Sequence, residues 1–304
     1  NTPTAEMLHA QAQRAQPKVS AGRDGWLPIQ LKALPFSAWV QRERVLNFAI
    51  ELKTFHTNYK YVTSPCLPKK GKGKKRIDHR LLAVFSAIYR VEMGSWFKIL
   101  YKWSTNCLHH ELHGAIPGHE APDVSWDAHA YLEHALINRL KTVLLMVDYK
   151  FFDSFDHQWV RQFLHMLHFP NALVEMIFQM YDNLLRTIKI GIAYGDPFKT
   201  FNVMGQGDVA TLFLALALVS GQFFMVNLAY PSIRMGACID DRNSRGPLQE
   251  ILSTYEIISL YDKDAGHLLQ PEKTAIAATC PKDLKKLNGI SLDGHKPTCK
   301  HHDI

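Results

Sequence analysis

The sequence predicts an α+β fold in which strands deliver carboxylates. Three observations carry this. The apolar run Val143–Val147 ends at Asp148, which reads as a buried strand opening onto an acid. The stretch from Arg234 to Ile239 runs into two adjacent carboxylates, Asp240 and Asp241, where a strand should turn. Long stretches with apolar residues at helical spacing, such as Leu27 to Leu52 and Ala172 to Arg186, supply the helices.

Successive strand side chains point to opposite faces, so only one of Asp240 and Asp241 faces a site squarely unless the turn redirects both. One acid from the first strand and one or two from this turn suffice to hold two divalent ions about 3.5–4 Å apart. That arrangement drives in-line phosphoryl displacement.

Composition sets wide bounds. The chain has 304 residues, 47% of them hydrophobic and 21% charged, as in ordinary globular proteins. A net charge of +7 permits a nucleic-acid partner. Five irregularly spaced cysteines without a secretory leader predict a reducing, intracellular compartment, with the nucleus plausible. The chain starts at Asn1 rather than Met, which fits an excerpt or an incomplete reading frame.

In chain order, residues 1–20 are polar and read as a tail or frayed helix. Ala21 to Trp26 is a turn cluster around Asp24-Gly25. Two helices follow, broken near Pro35. The segment Lys69 to Arg76 holds six basic residues and two glycines, and lacks the spacing of a Walker loop. Val91 to Leu112 reads as an aromatic-rich helix. Cys107, His109, His110 and His113 invite a zinc reading, but no second ligand pair stands at a recognisable spacing; His119 and Asp123 lie in the Gly/Pro loop that follows. A helix starting at Ser125 leads to the central strand.

Beyond Asp153, the stretch 157–168 is helical and Ala172 to Arg186 forms another helix. Thr187 to Ile192 and Phe198 to Val203 predict a β-hairpin around Tyr194-Gly195-Asp196-Pro197. Gly205-Gln206-Gly207-Asp208 follows, its glycines allowing close backbone approach. Val209 to Ile233 carries no charge and is long enough for a membrane span, yet Thr211, Ser220, Gln222 and Asn227 favour a buried helix and no membrane. Pro247 to Leu260 is amphipathic, and Lys273 beside Glu272 reads on its own as a surface salt bridge.

Four ordered blocks are then on the page: Asp148 with Phe152-Asp153-Ser154, Gln206-Gly207, Cys238-Ile239-Asp240-Asp241, and Gly266 through Lys273-Thr274. Their order resembles the palm of reverse transcriptases, particularly those of non-LTR retrotransposons and group II introns. The resemblance implies a right-hand polymerase with an antiparallel palm sheet flanked by helices. It divides the chain into the tail 1–20 and a reverse transcriptase domain over 21–304: fingers 21–142, palm 143–279, and the end of the palm or start of the thumb 280–304.

The resemblance also assigns roles. Asp148, Asp240 and Asp241 would coordinate two Mg²⁺ ions, with Mn²⁺ as a substitute. Lys273 would be the general acid for departing pyrophosphate. Lys70 and Arg80, with Arg76 as a rival, would close on the triphosphate. Phe152 would exclude a 2′-hydroxyl, and Gln206 and Gly207 would lie near the nascent base pair. The implied partners are an RNA template, a DNA or RNA primer and dNTPs. The chain departs from the family pattern in three places. Asp148 to Asp153 is one residue short, Cys238 replaces an aromatic residue, and Val209-Ala210-Thr211 stands where Pro-x-Ser is common. A catalytically decayed copy that keeps the fold, with or without its hold on nucleic acid, is therefore the alternative.

Overall fold

The structure, a computed structural model, describes every residue except 1, 69–78, 151–154, 202–203, 240, 271–272, 293 and 302–304. Lys70, Arg76, Phe152 and Asp240 thus lie outside the described residues. Along the chain the elements are α1 (Ala5–Arg14), α2 (Pro28–Lys32), α3 (Phe36–Glu51), β1 (Tyr61–Pro68), β2 (His79–Leu81) and α4 (Ala87–Cys107). Next come α5 (Ala121–Ile137), β3 (Val143–Val147), β4 (Tyr149–Lys150), α6 (His157–Met166), α7 (Asn171–Asp182), β5 (Leu185–Ile190), β6 (Ala193–Tyr194) and β7 (Phe198–Lys199). The last are α8 (Val209–Ala229), β8 (Arg234–Cys238), β9 (Asp241–Gly246), α9 (Leu248–Asp264), β10 (Leu268–Leu269), β11 (Ala275–Ala278), α10 (Pro281–Leu287) and β12 (Thr298–His301). The fold is α+β, divided between two units: Asn1–Cys107 with His157–Phe213, and Leu108–Asp156 with Leu214–Ile304.

In the first unit the sheet order is β2-β1-β5-β6, with β7 also on β5. β1 and β5 run parallel and the other pairs antiparallel. Its core is aromatic: the Tyr89 ring lies 5.1–5.5 Å from those of Phe85, Tyr59 and Phe55. Of the two readings for residues 1–20, tail or frayed helix, the helix holds: it is α1, and it is packed rather than frayed. Thr4 caps it, and Ala5, Leu8 and Ala12 are buried at i, i+3 and i+7. α4 begins at Ala87, earlier than its apolar spacing suggests, because Asp24 Oδ2 accepts both the Ala87 N–H and the Ser86 hydroxyl. The expected hairpin exists, but its turn falls at Gly191-Ile192, where Gly191 supplies a φ of +61°. Leu185 and Arg186, expected at the end of a helix, open β5.

In the second unit the order is β12-β11-β3-β9-β8. The four strands β11, β3, β9 and β8 are antiparallel, as expected; β12 joins β11 in parallel, which makes the sheet mixed. β4 and β10 form a separate antiparallel ribbon. Val143, Leu145 and Val147 are 0%, 1% and 4% exposed; each contributes about 1.5–3 kcal/mol of burial. Leu144, on the opposite face, packs with Leu132 of α5 and Ala277 of β11. α5 starts at Ala121 rather than Ser125, because the Asp123 carboxylate caps the Glu120 N–H.

α8 is long and apolar enough to cross a membrane, yet 72% of its most apolar window is buried within the protein. Its polar residues are used inside. Ser220 Oγ accepts the His109 N–H at 2.7 Å, and Gln222 Nε2 donates to Asp262 at 2.8 Å.

Candidate active site

β3 ends at Val147, and Asp148 occupies the step before β4. The chain from β10 onward clamps it. The Gln270 N–H donates to the Asp148 carbonyl at 2.9 Å, and Gln270 Nε2 donates to Asp148 Oδ1 at 3.1 Å. Lys273 Nζ lies 2.6 Å from Asp148 Oδ2. The Asp148 side chain is 21% exposed and that of Lys273 54%, so this ion pair faces solvent. Lys273 therefore pairs with an acid distant in sequence; Glu272, its expected neighbour in a salt bridge, lies outside the described residues.

The second acid block sits on the hairpin β8–β9, closed where Cys238 pairs with Asp241 across a two-residue turn. Ile239, the first turn residue, has a φ of +62°. A two-residue hairpin turn demands positive φ and normally takes Gly or Asn. A β-branched residue there stores about 1–2 kcal/mol of strain. The β3–β9 ladder runs to Val147 opposite Arg242. Continuing that register by one residue sets Asp148 against Asp241. Opposed residues of an antiparallel pair share a face, with Cβ atoms about 4.5–5.5 Å apart. Asp241 is exposed, and so is Met146 at 39%, which lies on the same side of β3 as Asp148.

The next residue, Arg242, faces the other way. Its Nη1 donates to Asp262 Oδ1 at 3.0 Å and to Gln222 Oε1 at 2.8 Å. His267 Nδ1 reaches the same Asp262 oxygen at 2.7 Å. All four side chains are buried. Burial lowers the pKa of His267, against the pull of the Asp262 hydrogen bond. This network anchors β9 to α8 and α9 directly behind the acid turn. Its members are far apart in sequence and follow no motif.

Of the remaining candidates, Arg80, Gln206 and Gly207 belong to the first unit. Arg80 is exposed on β2, opposite Leu67 of β1, and this hairpin flanks the residues that include Lys70 and Arg76. The Gln206 carbonyl accepts the Ala83 N–H at 2.8 Å. The two glycines have packing reasons as well as any role toward a substrate. A Cβ on Gly205 would stand 2.6 Å from the Phe85 ring, and Gly207 has a φ of +112°. Asp208 is fully enclosed. Its Oδ2 accepts the hydroxyls of Tyr89 and Tyr181, and its Oδ1 the Ala210 N–H at the start of α8. Burial raises its pKa to about 6 despite these donors. Thr211 hydrogen-bonds Tyr181 at 2.8 Å. Asp208 is thus a structural anchor for the Gln206-Gly207 block, a role the sequence signals only by its helix-capping position.

The histidines separate. His109 is buried against Phe223 and Asn227, whereas His113 meets His119. Desolvation, with His110 adding to it, lowers the His109 pKa to about 4.

No protein-family model matches the chain, and no curated protein matches it in sequence. Solved structures do share its fold. Telomerase from Candida tropicalis, in complex with a TWJ fragment of telomeric RNA, is 12% identical with a TM-score of 0.53, covering 81% of this chain and 45% of that one. Apo telomerase from the same organism, truncated from the C-terminal domain, is 13% identical with a TM-score of 0.53, covering 81% and 56%. The chain spans about half the length of these structures. At this identity the likeness is one of fold alone: the chain shares the fold of these telomerase structures.

Proposed function

We propose that the chain is the fingers and palm of an RNA-directed DNA polymerase of the non-LTR retroelement type. It would add dNTPs to a primer 3′-hydroxyl on an RNA template. The observation that supports this reading is the register of β3 and β9, paired as far as Val147 and Arg242; continued by one residue, it would set Asp148 and Asp241 on the same face.

The donor set suits Mg²⁺, which takes hard oxygen ligands; Mn²⁺ shares the preference. Asp148 and Asp241, with Asp240, offer carboxylate oxygens alone, and Asp148 already attracts a cation in Lys273. Two such ions bound there would supply Lewis-acid stabilisation of phosphate charge and a more acidic 3′-hydroxyl.

The chain's own residues do the rest. The 3′-hydroxyl would give up its proton to solvent water, its oxygen would attack the α-phosphorus, the bond to the β-phosphate oxygen would break, and pyrophosphate would leave. Lys273, a mobile ammonium held near Asp148, would give a proton to that leaving group. Arg80, exposed on its hairpin, would neutralise triphosphate oxygens together with Lys70 or Arg76. Phe152 would exclude a 2′-hydroxyl by bulk, and Gln206 and Gly207 would lie against the nascent pair.

A second reading, a decayed copy that binds nucleic acid without extending it, draws on the shortened Asp148–Asp153 block and on Cys238. Primer extension on poly(rA)/oligo(dT) with Mg²⁺ separates the two. The polymerase reading predicts extension by the wild type and none by Asp240→Ala. A folded wild type that binds the primer–template but does not extend it, and extends once a residue is inserted between Tyr149 and Lys150, would establish the decayed copy.

A further inference from the structure

A cluster in the second unit, outside the carboxylate site, has the geometry of a transition-metal ligand set. His113 Nδ1 and His119 Nδ1 face each other at 3.1 Å. An Asp123 carboxylate oxygen completes a group whose ligand atoms all lie within 4.8 Å of one another. Bonds of about 2.0–2.1 Å to a tetrahedral Zn²⁺ place two nitrogens about 3.3–3.4 Å apart. The observed separation therefore needs an adjustment of a few tenths of an ångström.

Each ligand is held by its own anchor. The His113 N–H donates to the Ala237 carbonyl of β8 at 2.9 Å. The His119 N–H donates to the Ile116 carbonyl at 3.1 Å, closing a turn of the loop. Asp123 uses Oδ2 to cap α5 at 2.6 Å, which fixes the carboxylate beside the two rings. His119 is exposed, so the cluster is reachable from solvent.

We infer that His113, His119 and Asp123 bind one borderline divalent transition-metal ion, Zn²⁺ above all. Two imidazoles and one carboxylate suit Zn²⁺, Co²⁺ or Ni²⁺, and are poor for Mg²⁺ or Ca²⁺, which prefer an all-oxygen shell. The site would be a brace. It would tie the start of α5 to the loop leaving Leu112, and that loop lies against the acid hairpin: a Cβ on Gly114 would stand 2.7 Å from Ile239. The strained turn between β8 and β9 would then be held from one side by the metal loop and from the other by Arg242.

The inference does not depend on the polymerase reading, and its test does not use polymerase activity. Co²⁺ is titrated into the intact protein in the presence of excess Mg²⁺, which keeps the carboxylate site occupied, and visible d–d absorption is followed before displacement by Zn²⁺. The expected result is one equivalent of Co²⁺ bound, displaced stoichiometrically by Zn²⁺. His119→Gln, a change at an exposed position, should weaken binding at least about 10–100-fold. Asp123→Asn, which keeps an oxygen for the helix cap, should weaken it too, while His110→Gln should leave it unchanged. Absence of binding by the folded wild type overturns the inference. So does binding that survives His119→Gln, whether at His301 and His302 or elsewhere.

Discussion

Asp241 and Arg242 are neighbours on one strand and lead opposite lives. Asp241 is exposed on the face it shares with Asp148, where Lys273 makes an ion pair at 2.6 Å that is half open to water. Arg242 is 4% exposed on the other face, tied to an Asp262 that is 3% exposed. Each face carries a base paired with a carboxylate, and what differs is solvent. On the open face an ion pair contributes little to stability and its carboxylate can exchange partners. On the closed face each charge depends on its partner, because removing one strands the other in a low dielectric. The back of the sheet is built for position, and the proposed function assigns the chemistry to the front.

The comparison predicts opposite outcomes for two carboxylate changes. Asp148→Asn should cut nucleotide incorporation by about 10³-fold or more, the loss of several kcal/mol of metal-centred stabilisation. The same change should move unfolding free energy by no more than about 1 kcal/mol in a urea titration. Asp262→Ala should reverse the pattern, costing about 3–5 kcal/mol of stability by leaving Arg242 without its carboxylate. If Asp148→Asn proved the more destabilising of the two, the assignment of faces would be broken.

A pH series sharpens the cost of burial. His109 has a folded pKa of about 4 against an ordinary 6.5, so the unfolded chain takes up a proton first as pH falls. Its contribution to stability is complete above pH 6.5 and is lost between about 6.5 and 4. His109→Gln should flatten that part of the thermal-midpoint curve. Asp208 acts in the opposite direction. Its pKa rises from 3.8 to about 6, so the folded state holds its proton longer and stability falls as pH rises through that interval. The smallest effect expected is at the hairpin turn. Ile239→Asn should relieve positive-φ strain and stabilise by up to about 1 kcal/mol, measured as a shift in denaturation midpoint at unchanged slope.

Much of this was legible beforehand. The apolar run Val143–Val147 and the pair Asp240-Asp241 announced their strands, because burial and alternation leave a local trace. The break between α2 and α3 near Pro35 followed from proline chemistry. What stayed hidden depends on residues distant in sequence. Lys273 finds Asp148, and Tyr89 and Tyr181 find Asp208, only through packing. Residues 1–20 offered few apolar side chains, yet Leu8 with two alanines suffices to bury α1. Gly195-Asp196-Pro197 was the stronger turn signal, but pairing of Lys189 with Tyr194 moved the turn to Gly191. Chain order grouped His113 with His109, but His109 is buried against Asn227 and His113 meets His119 instead.

The central claim is that the open face at the end of β3 and β9 is a divalent-cation site. Mn²⁺ binding followed by electron paramagnetic resonance tests it most directly, with Zn²⁺ added beforehand to fill the histidine cluster. The account predicts that the wild type binds Mn²⁺, that Mg²⁺ competes it away, and that Asp148→Asn and Asp241→Asn each weaken binding about tenfold or more while the protein stays folded. Wild-type protein that binds no Mn²⁺, or variants that bind it as well as the wild type, would contradict it.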